Sequence, residues 1–159
     1  MNDHNIYDIT DSRVFSEIAE DLISGKHHLR FSATGDSMEP FIVEGDTVTV
    51  MPVSSPLKTG DVILLRQLND MPLLHRIIRI LPDGVVTRGD ALIEDDGIIP
   101  LSNVLGKVST VNGRALLLHL HFPLKYLICR KEMFTPALNK LPFIKRFIRK
   151  IVGLTDLSH

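Results

Sequence analysis

Turn-forming dipeptides recur at close spacing between residues 28 and 113 and divide this part of the chain into short segments. Four Gly-Asp pairs begin at Gly35, Gly45, Gly60 and Gly89. Two further turn signals are Pro-Asp-Gly at residues 82–84 and Asn-Gly at residues 112–113. The segments between these turns are rich in Val, Ile and Leu, which is typical of strands. Many short strands joined by tight turns predict a mainly β fold with antiparallel pairing.

Alternation of apolar and polar residues supports this prediction in two segments. Leu29, Phe31 and Ala33 alternate with polar side chains, and Val48 and Val50 lie between threonines. Side chains two residues apart share one face of a strand, so each segment predicts a strand with one buried face.

One short helix is predicted before the first strand. Val14, Ile18 and Leu22 recur at helical spacing over about residues 13–24, and Gly25 then ends the pattern. A DNA-binding repressor needs a helix-turn-helix module of at least three helices. One helix is too few, and the chain has no aromatic and basic stacking surface, so nucleic acid is not an expected partner.

Three residue types that acyl transfer requires follow one another along the predicted β region. Ser37 lies in Gly-Asp-Ser-Met-Glu-Pro, His75 lies in Leu-His-Arg-Ile-Ile, and Asp90 is followed by the pair Asp95 and Asp96. A neutral hydroxyl is a poor nucleophile at pH 7, an imidazole takes its proton, and a carboxylate holds the imidazole in the correct tautomer. Chain order alone does not separate the three aspartates.

Taken together, these boxes resemble the signal peptidase type I superfamily, which includes the LexA-type self-cleaving repressors. The resemblance spans about residues 29–110 and also includes Gly-Asp-Thr-Val and Gly-Asp-Val-Ile boxes. It is closer to the archaeal and endoplasmic-reticulum branch, because His75 stands where most bacterial signal peptidases and LexA-type repressors have lysine. The resemblance implies a LexA-like β-rich core and a serine endopeptidase that processes signal peptides. The substrate would be a peptide or leader segment, bound as an added β-strand.

By position, the resemblance implies a role for each candidate residue. Ser37 would be the nucleophile and His75 the general base. Asp96 would orient His75, since it falls six residues after the aspartate of the last Gly-Asp pair. Asp90 and Asp95 are the supporting or rival acids.

The predicted site also includes the turn around Ser37. Gly35 leaves no side chain in the way, so the oxyanion would be held mainly by backbone N–H groups in the turn from Gly35 to Met38. This chain departs from the family pattern after the last Gly-Asp pair. The family has two asparagines there, and this chain has Ala91 and Leu92. This departure predicts less polar support around the acid.

Neither a metal nor another cofactor is expected. The chain has one cysteine, Cys129, which excludes an internal disulfide and a cysteine-built zinc site. The histidines at positions 27, 28, 119 and 121 lack metal-ligand partners at a suitable spacing. A chain of 159 residues with 44% hydrophobic residues is nevertheless long enough to bury one ordinary core.

Charge is distributed unevenly along the chain. Residues 1–122 hold 10 Lys or Arg against 17 Asp or Glu, a net charge of −7, whereas residues 123–159 hold 8 against 2, a net charge of +6. Residues 143–152 predict an amphipathic helix with an apolar face of Phe, Ile and Val. The basic side chains of its other face are Lys145, Arg146, Arg149 and Lys150. This cationic amphipathic pattern predicts that the helix binds an anionic membrane surface. The alternative is that its apolar face packs on the β core.

The chain therefore divides into an N-terminal helical segment (1–26), a peptidase-like β domain (27–112) and an apolar, basic helical tail (113–159). No apolar run approaches the roughly 20 residues of a spanning helix, so a cytoplasmic location is expected, peripheral to the inner face of the membrane where the tail binds. Three function classes follow. They are a serine endopeptidase, an inactive peptidase-like module for binding or regulation, and a membrane-surface interaction protein.

Overall fold

The computed structural model describes residues 12–67 and 70–115, and the predicted mainly β fold with a short N-terminal helix is confirmed within them. The predicted tail helix, with Lys145, Arg146, Arg149 and Lys150, lies outside the described residues. A 3₁₀ turn, Leu101–Asn103, precedes the strand that begins at Val104. The helix and strands are α1 (Ser12–Ser24), β1 (Leu29–Ser32), β2 (Thr47–Met51), β3 (Val62–Arg66), β4 (Pro72–Leu81), β5 (Gly84–Arg88), β6 (Ile98–Ile99), β7 (Val104–Val111) and β8 (Arg114–Ala115).

The strands in the described residues form one antiparallel sheet in the order β1, β2, β7, β3, β4, β5, β6, with β8 paired to the end of β7. Strand β7 joins the two halves of the sheet, because Val111 pairs with Val48 of β2 and Lys107 pairs with Ile63 of β3. Strand β4 has ten residues and lies between β3 and β5. It is longer than the short strands predicted from the sequence.

The central strand β3 contributes side chains to two hydrophobic clusters. Val62 and Leu64 belong to the cluster that also contains Ala19 and Ile23 of α1, and the alternate residues of β3 belong to a second cluster with residues of β4 and β5. Because these side chains are apolar on both faces, the register of the strand is given by its backbone pairing with β4 and β7. That register places His75 of β4 opposite Ile63.

Helix α1 packs on the sheet through a face centred on Ala19 and Ile23, which are buried. The sequence prediction placed Val14 on this face, but its side chain is 43% exposed. An α-helix has 3.6 residues per turn, so Val14 lies about 140° around the helix axis from Ala19 and faces away from the sheet. No helix in the described ranges is long and apolar enough to cross a membrane.

Candidate active site

Ser37 lies in a loop that connects β1 to β2 and is closed at its base by backbone hydrogen bonds. The Ala33 N–H donates to the Asp46 carbonyl at 2.8 Å, and the Gly45 N–H donates to the Ala33 carbonyl at 2.9 Å. Gly35 has a φ of +80°, a left-handed conformation that glycine adopts without steric cost. The chain therefore reverses just before Ser37, whose side chain is partly exposed.

Buried apolar side chains on the C-terminal side of Ser37 hold this loop against the core. Met38 is 4% exposed, Phe41 1% and Ile42 2%. The Phe41 and Ile42 N–H groups both donate to the Met38 carbonyl at 3.1 Å. Burying a side chain of this kind contributes roughly 1.5–3 kcal/mol, so the loop is anchored although it carries a polar residue at its tip.

His75 lies in the middle of β4 and is 2% exposed. Its Nδ1 is 2.6 Å from Asp96 Oδ2, and its Nε2 is 3.3 Å from Ser37 Oγ. A carboxylate only accepts hydrogen bonds, so Nδ1 must carry the proton in this contact. The neutral ring then leaves Nε2 unprotonated and facing the Ser37 hydroxyl.

Asp96 is positioned by two hydrogen bonds to Thr87 of β5. The Asp96 N–H donates to the Thr87 carbonyl at 2.9 Å, and Thr87 Oγ1 donates to Asp96 Oδ2 at 2.6 Å. Thr87 is fully buried, whereas the Asp96 side chain keeps 19% exposure. Thr87 carries no motif in the sequence. Its role depends on its position opposite Ile77, on the strand next to that of His75.

The two rival acids lie elsewhere. Asp90 forms a bidentate ion pair with Arg76, with Oδ1 2.7 Å from Nε and Oδ2 2.6 Å from Nη2, and both side chains are 2% exposed. Asp95 is exposed, and its nearest charged partner is Arg79 at 3.8 Å. Of the three acids, Asp96 is therefore the one that the structure brings to His75.

The Arg76 side chain also ties together three other parts of the protein. Its Nη1 donates to the Gly60 carbonyl at 2.9 Å, and its guanidinium carbon lies 5.3 Å from the centre of the Phe41 ring. Phe41 belongs to the loop of Ser37, and Asp90 to the segment that leads to Asp96. Arg76 thus connects the strand of His75 to the segments that carry the other two side chains.

Gly89 packs directly against the site. A methyl group added to its Cα would lie 2.6 Å from the Ser37 carbonyl oxygen and 2.9 Å from His75 Nε2. The Ala91 N–H donates to the same Ser37 carbonyl at 2.9 Å. The segment from Gly89 to Ala91 therefore holds the backbone of Ser37. The sequence had indicated only a turn at Gly89.

The family model for Peptidase S24-like proteins matches residues 4–87, which is 84 of the 159 residues. The chain belongs to the Peptidase S24-like family. It therefore carries a serine peptidase-type domain of the LexA and signal peptidase-like superfamily. No curated protein and no solved structure matches the chain significantly.

The match to the Peptidase S24-like model contains Ser37, Met38 and His75 but ends before Asp90 and Asp96. It supports a hydrolase of the protease class, and the assignment to a particular signal peptidase branch goes beyond it.

Within residues 12–67 and 70–115, no group of three or more His, Cys, Asp or Glu side chains is arranged to hold a metal ion.

Replacement of Gly89 by alanine should slow the reaction of Ser37 with a serine-reactive phosphonate probe by about 100-fold, because a displacement of about 1 Å in an active site has an effect of that size. The new methyl group must displace either the Ser37 backbone or the His75 ring. Gly84→Ala is the matched control, because Gly84 is the first residue of β5 whereas Gly89 follows its last. Its methyl group would lie 2.3 Å from the Ile99 carbonyl oxygen of β6. We expect Gly84→Ala to lower stability but to retain labelling of the folded protein. Equal labelling rates in the two variants would contradict the proposed contact.

Proposed function

We propose that this protein is a serine endopeptidase in which Ser37 is the nucleophile, His75 the general base and Asp96 the acid that orients His75. The observation that carries the proposal is the continuous contact from Asp96 Oδ2 through the His75 ring to Ser37 Oγ, at 2.6 Å and 3.3 Å. A separation of 3.3 Å is slightly longer than a catalytic hydrogen bond and is typical of a site without substrate.

In the first step, Ser37 Oγ attacks the carbonyl carbon of the scissile peptide bond while its proton moves to His75 Nε2. The ring becomes positively charged, and the Asp96 carboxylate on Nδ1 stabilises that charge. Among the described residues, no acceptor is bonded to the N–H of Ser37 or Met38. These two groups are the proposed donors to the oxyanion, each contributing about 3 kcal/mol.

In the second step, the tetrahedral intermediate collapses and the bond to the leaving nitrogen breaks. His75 Nε2 returns its proton to that nitrogen, and the amine product leaves. Water then attacks the acyl ester on Ser37 while His75 Nε2 takes one of its protons. When this second tetrahedral intermediate collapses, the bond to Ser37 Oγ breaks, His75 returns the proton to Oγ, and the carboxylic acid product leaves. The near-complete burial of His75 keeps bulk water from competing for its ring nitrogens.

The finer proposal is that the protein resembles the signal peptidase branch that uses histidine, and that it cleaves a peptide or leader segment. Its support is that the base in contact with Ser37 is a histidine rather than a lysine. Strand β1 leads into the Ser37 loop and, among the described residues, pairs only with β2. Its other edge is the proposed place for a substrate strand, since free backbone groups at a sheet edge bind an extended peptide.

The test compares wild type with Ser37→Ala, using the serine-reactive phosphonate probe and a synthetic peptide library whose cleavage is followed by mass spectrometry. We expect probe labelling and cleavage in wild type and neither in Ser37→Ala. Ser102→Ala removes an exposed hydroxyl from the 3₁₀ turn and should behave like wild type. A wild-type protein that shows neither labelling nor Ser37-dependent cleavage would favour the inactive binding module instead.

Replacement of Asp96 by asparagine should reduce the rate of probe labelling by about 10⁴-fold, the loss found when the orienting carboxylate of such a site is removed. The amide group offers an N–H to His75 Nδ1, so the ring adopts the tautomer in which Nε2 is protonated and no longer accepts the Ser37 proton. Asp95→Asn changes the adjacent, exposed acid and should remain within about twofold of wild type. If both variants keep full activity, Ser37 and His75 work without a third residue.

A further inference from the structure

Leu92 and Ile93 are large apolar side chains that remain exposed beside the proposed active site. Their exposed fractions are 43% and 45%. Single exposed apolar residues are common on protein surfaces, so their location decides whether they matter. The Leu92 N–H donates to the Gly89 carbonyl at 3.0 Å, which places Leu92 in the turn of the segment that holds Ser37.

The distance between Leu92 and the proposed base, His75, has an upper limit because both side chains approach the same position beside Gly89. A methyl group on Gly89 would lie 2.9 Å from His75 Nε2 and 3.0 Å from Leu92 Cδ1, so the two atoms are at most 5.9 Å apart, the sum of these distances. Apolar contact occurs at about 4.0–4.5 Å. A substrate residue at His75 Nε2 is therefore within reach of Leu92.

We propose that Leu92 selects substrates with an apolar side chain on the residue that follows the scissile bond, an inference that rests on the proposed function. His75 Nε2 delivers its proton to the leaving nitrogen, which must approach within about 2.6–3.2 Å. That nitrogen belongs to the residue after the cut, and the side chain of this residue begins two bonds from it, within reach of Leu92. Leucine, isoleucine, methionine or phenylalanine there would cover the exposed face of Leu92.

Leu92→Asn is the variant that tests this contact, because it restores the polar residue of the family pattern at an exposed position. Ile80→Asn is the matched control, since Ile80 is 47% exposed and lies five residues along β4 from His75, about 16 Å at the usual rise of a strand. In the peptide library, wild type and Ile80→Asn should cleave about tenfold faster before an apolar residue than before serine. Leu92→Asn should lose most of this preference while still cleaving peptides with serine there.

Cleavage without an apolar preference after the cut, or a preference that is unchanged in Leu92→Asn, would overturn the inference although the peptidase function stands. If wild type shows no Ser37-dependent cleavage, the proposed function fails. A binding experiment then tests whether Leu92 contacts an apolar side chain of the peptide. Immobilised Ser37→Ala should then retain library peptides with a central leucine about tenfold better than those with serine. Equal retention, or no change when Leu92→Asn is added, would rule the contact out.

Discussion

Replacement of His75 by alanine should reduce the rate of Ser37 labelling and of peptide cleavage by about 10⁶-fold, the loss found when the base of a serine protease is removed. His75 is the residue whose Nε2 faces Ser37 Oγ, so its removal leaves the hydroxyl without a proton acceptor. Rates before and after the change are measured with the phosphonate probe and the peptide library. The effect exceeds that of Asp96→Asn because the base itself is lost.

The control for this variant is His28→Ala, which removes an exposed histidine just before β1 and should retain wild-type rates. Unfolding by urea, followed by circular dichroism, checks that His75→Ala still folds. The substitution leaves a small cavity, but Asp96 keeps its hydrogen bond from Thr87 Oγ1 and is still 19% exposed to water, so the fold should survive. A folded His75→Ala protein with full labelling would contradict the role assigned to the imidazole.

Replacement of Arg76 by methionine should lower the free energy of unfolding by about 3–5 kcal/mol, the usual cost of removing one partner of a buried ion pair. Asp90 would remain at 2% exposure without its bidentate partner, and the Gly60 carbonyl would lose a donor. Urea unfolding measures the change. The double variant Arg76→Met with Asp90→Asn should be less destabilised than the sum of the single variants, because neither charge is then left alone.

The exposed pair of Arg66 and Glu20 provides the comparison. Its Nη1 and Oε2 atoms are 2.7 Å apart, but the two side chains are 29% and 48% exposed. Water screens such a pair, so Arg66→Met should cost no more than about 1 kcal/mol. Similar losses of unfolding free energy in Arg66→Met and Arg76→Met would contradict this prediction. Burial of the Arg76–Asp90 pair would then not strengthen the link between β4 and the segment that leads to Asp96.

Local features of the sequence predicted the elements of the β domain well. The alternation at Leu29 and Phe31 and at Val48 and Val50 corresponds to β1 and β2. Alternation is visible in a single segment because the side chains of a strand point to opposite faces in turn. The exposed Val14 shows the limit of this reasoning, since a helical pattern does not say which apolar residues the neighbouring strands will cover.

The chemistry of the candidate site was also predictable in part. A serine in a Gly-Asp-Ser turn, a later histidine and a following acid have complementary roles, so residue type and order indicated Ser37 and His75 as candidates, and the resemblance to the signal peptidase superfamily implied their roles. Order did not distinguish Asp90, Asp95 and Asp96, because all three are acids in one short segment. The contacts of each acid separate them, since Asp90 pairs with Arg76 and Asp96 meets His75.

Sequence by itself therefore determined the fold class and the kinds of residue available for acyl transfer. The tertiary structure decided which of them meet, because Ser37 and His75 are 38 residues apart and His75 and Asp96 are 21 apart. Those contacts depend on a sheet order in which β7 lies between β2 and β3. Strand order follows from backbone pairing between residues far apart in the chain, which no periodicity within one segment records. For the same reason, the supports at Thr87 and Gly89 became visible only in the folded chain.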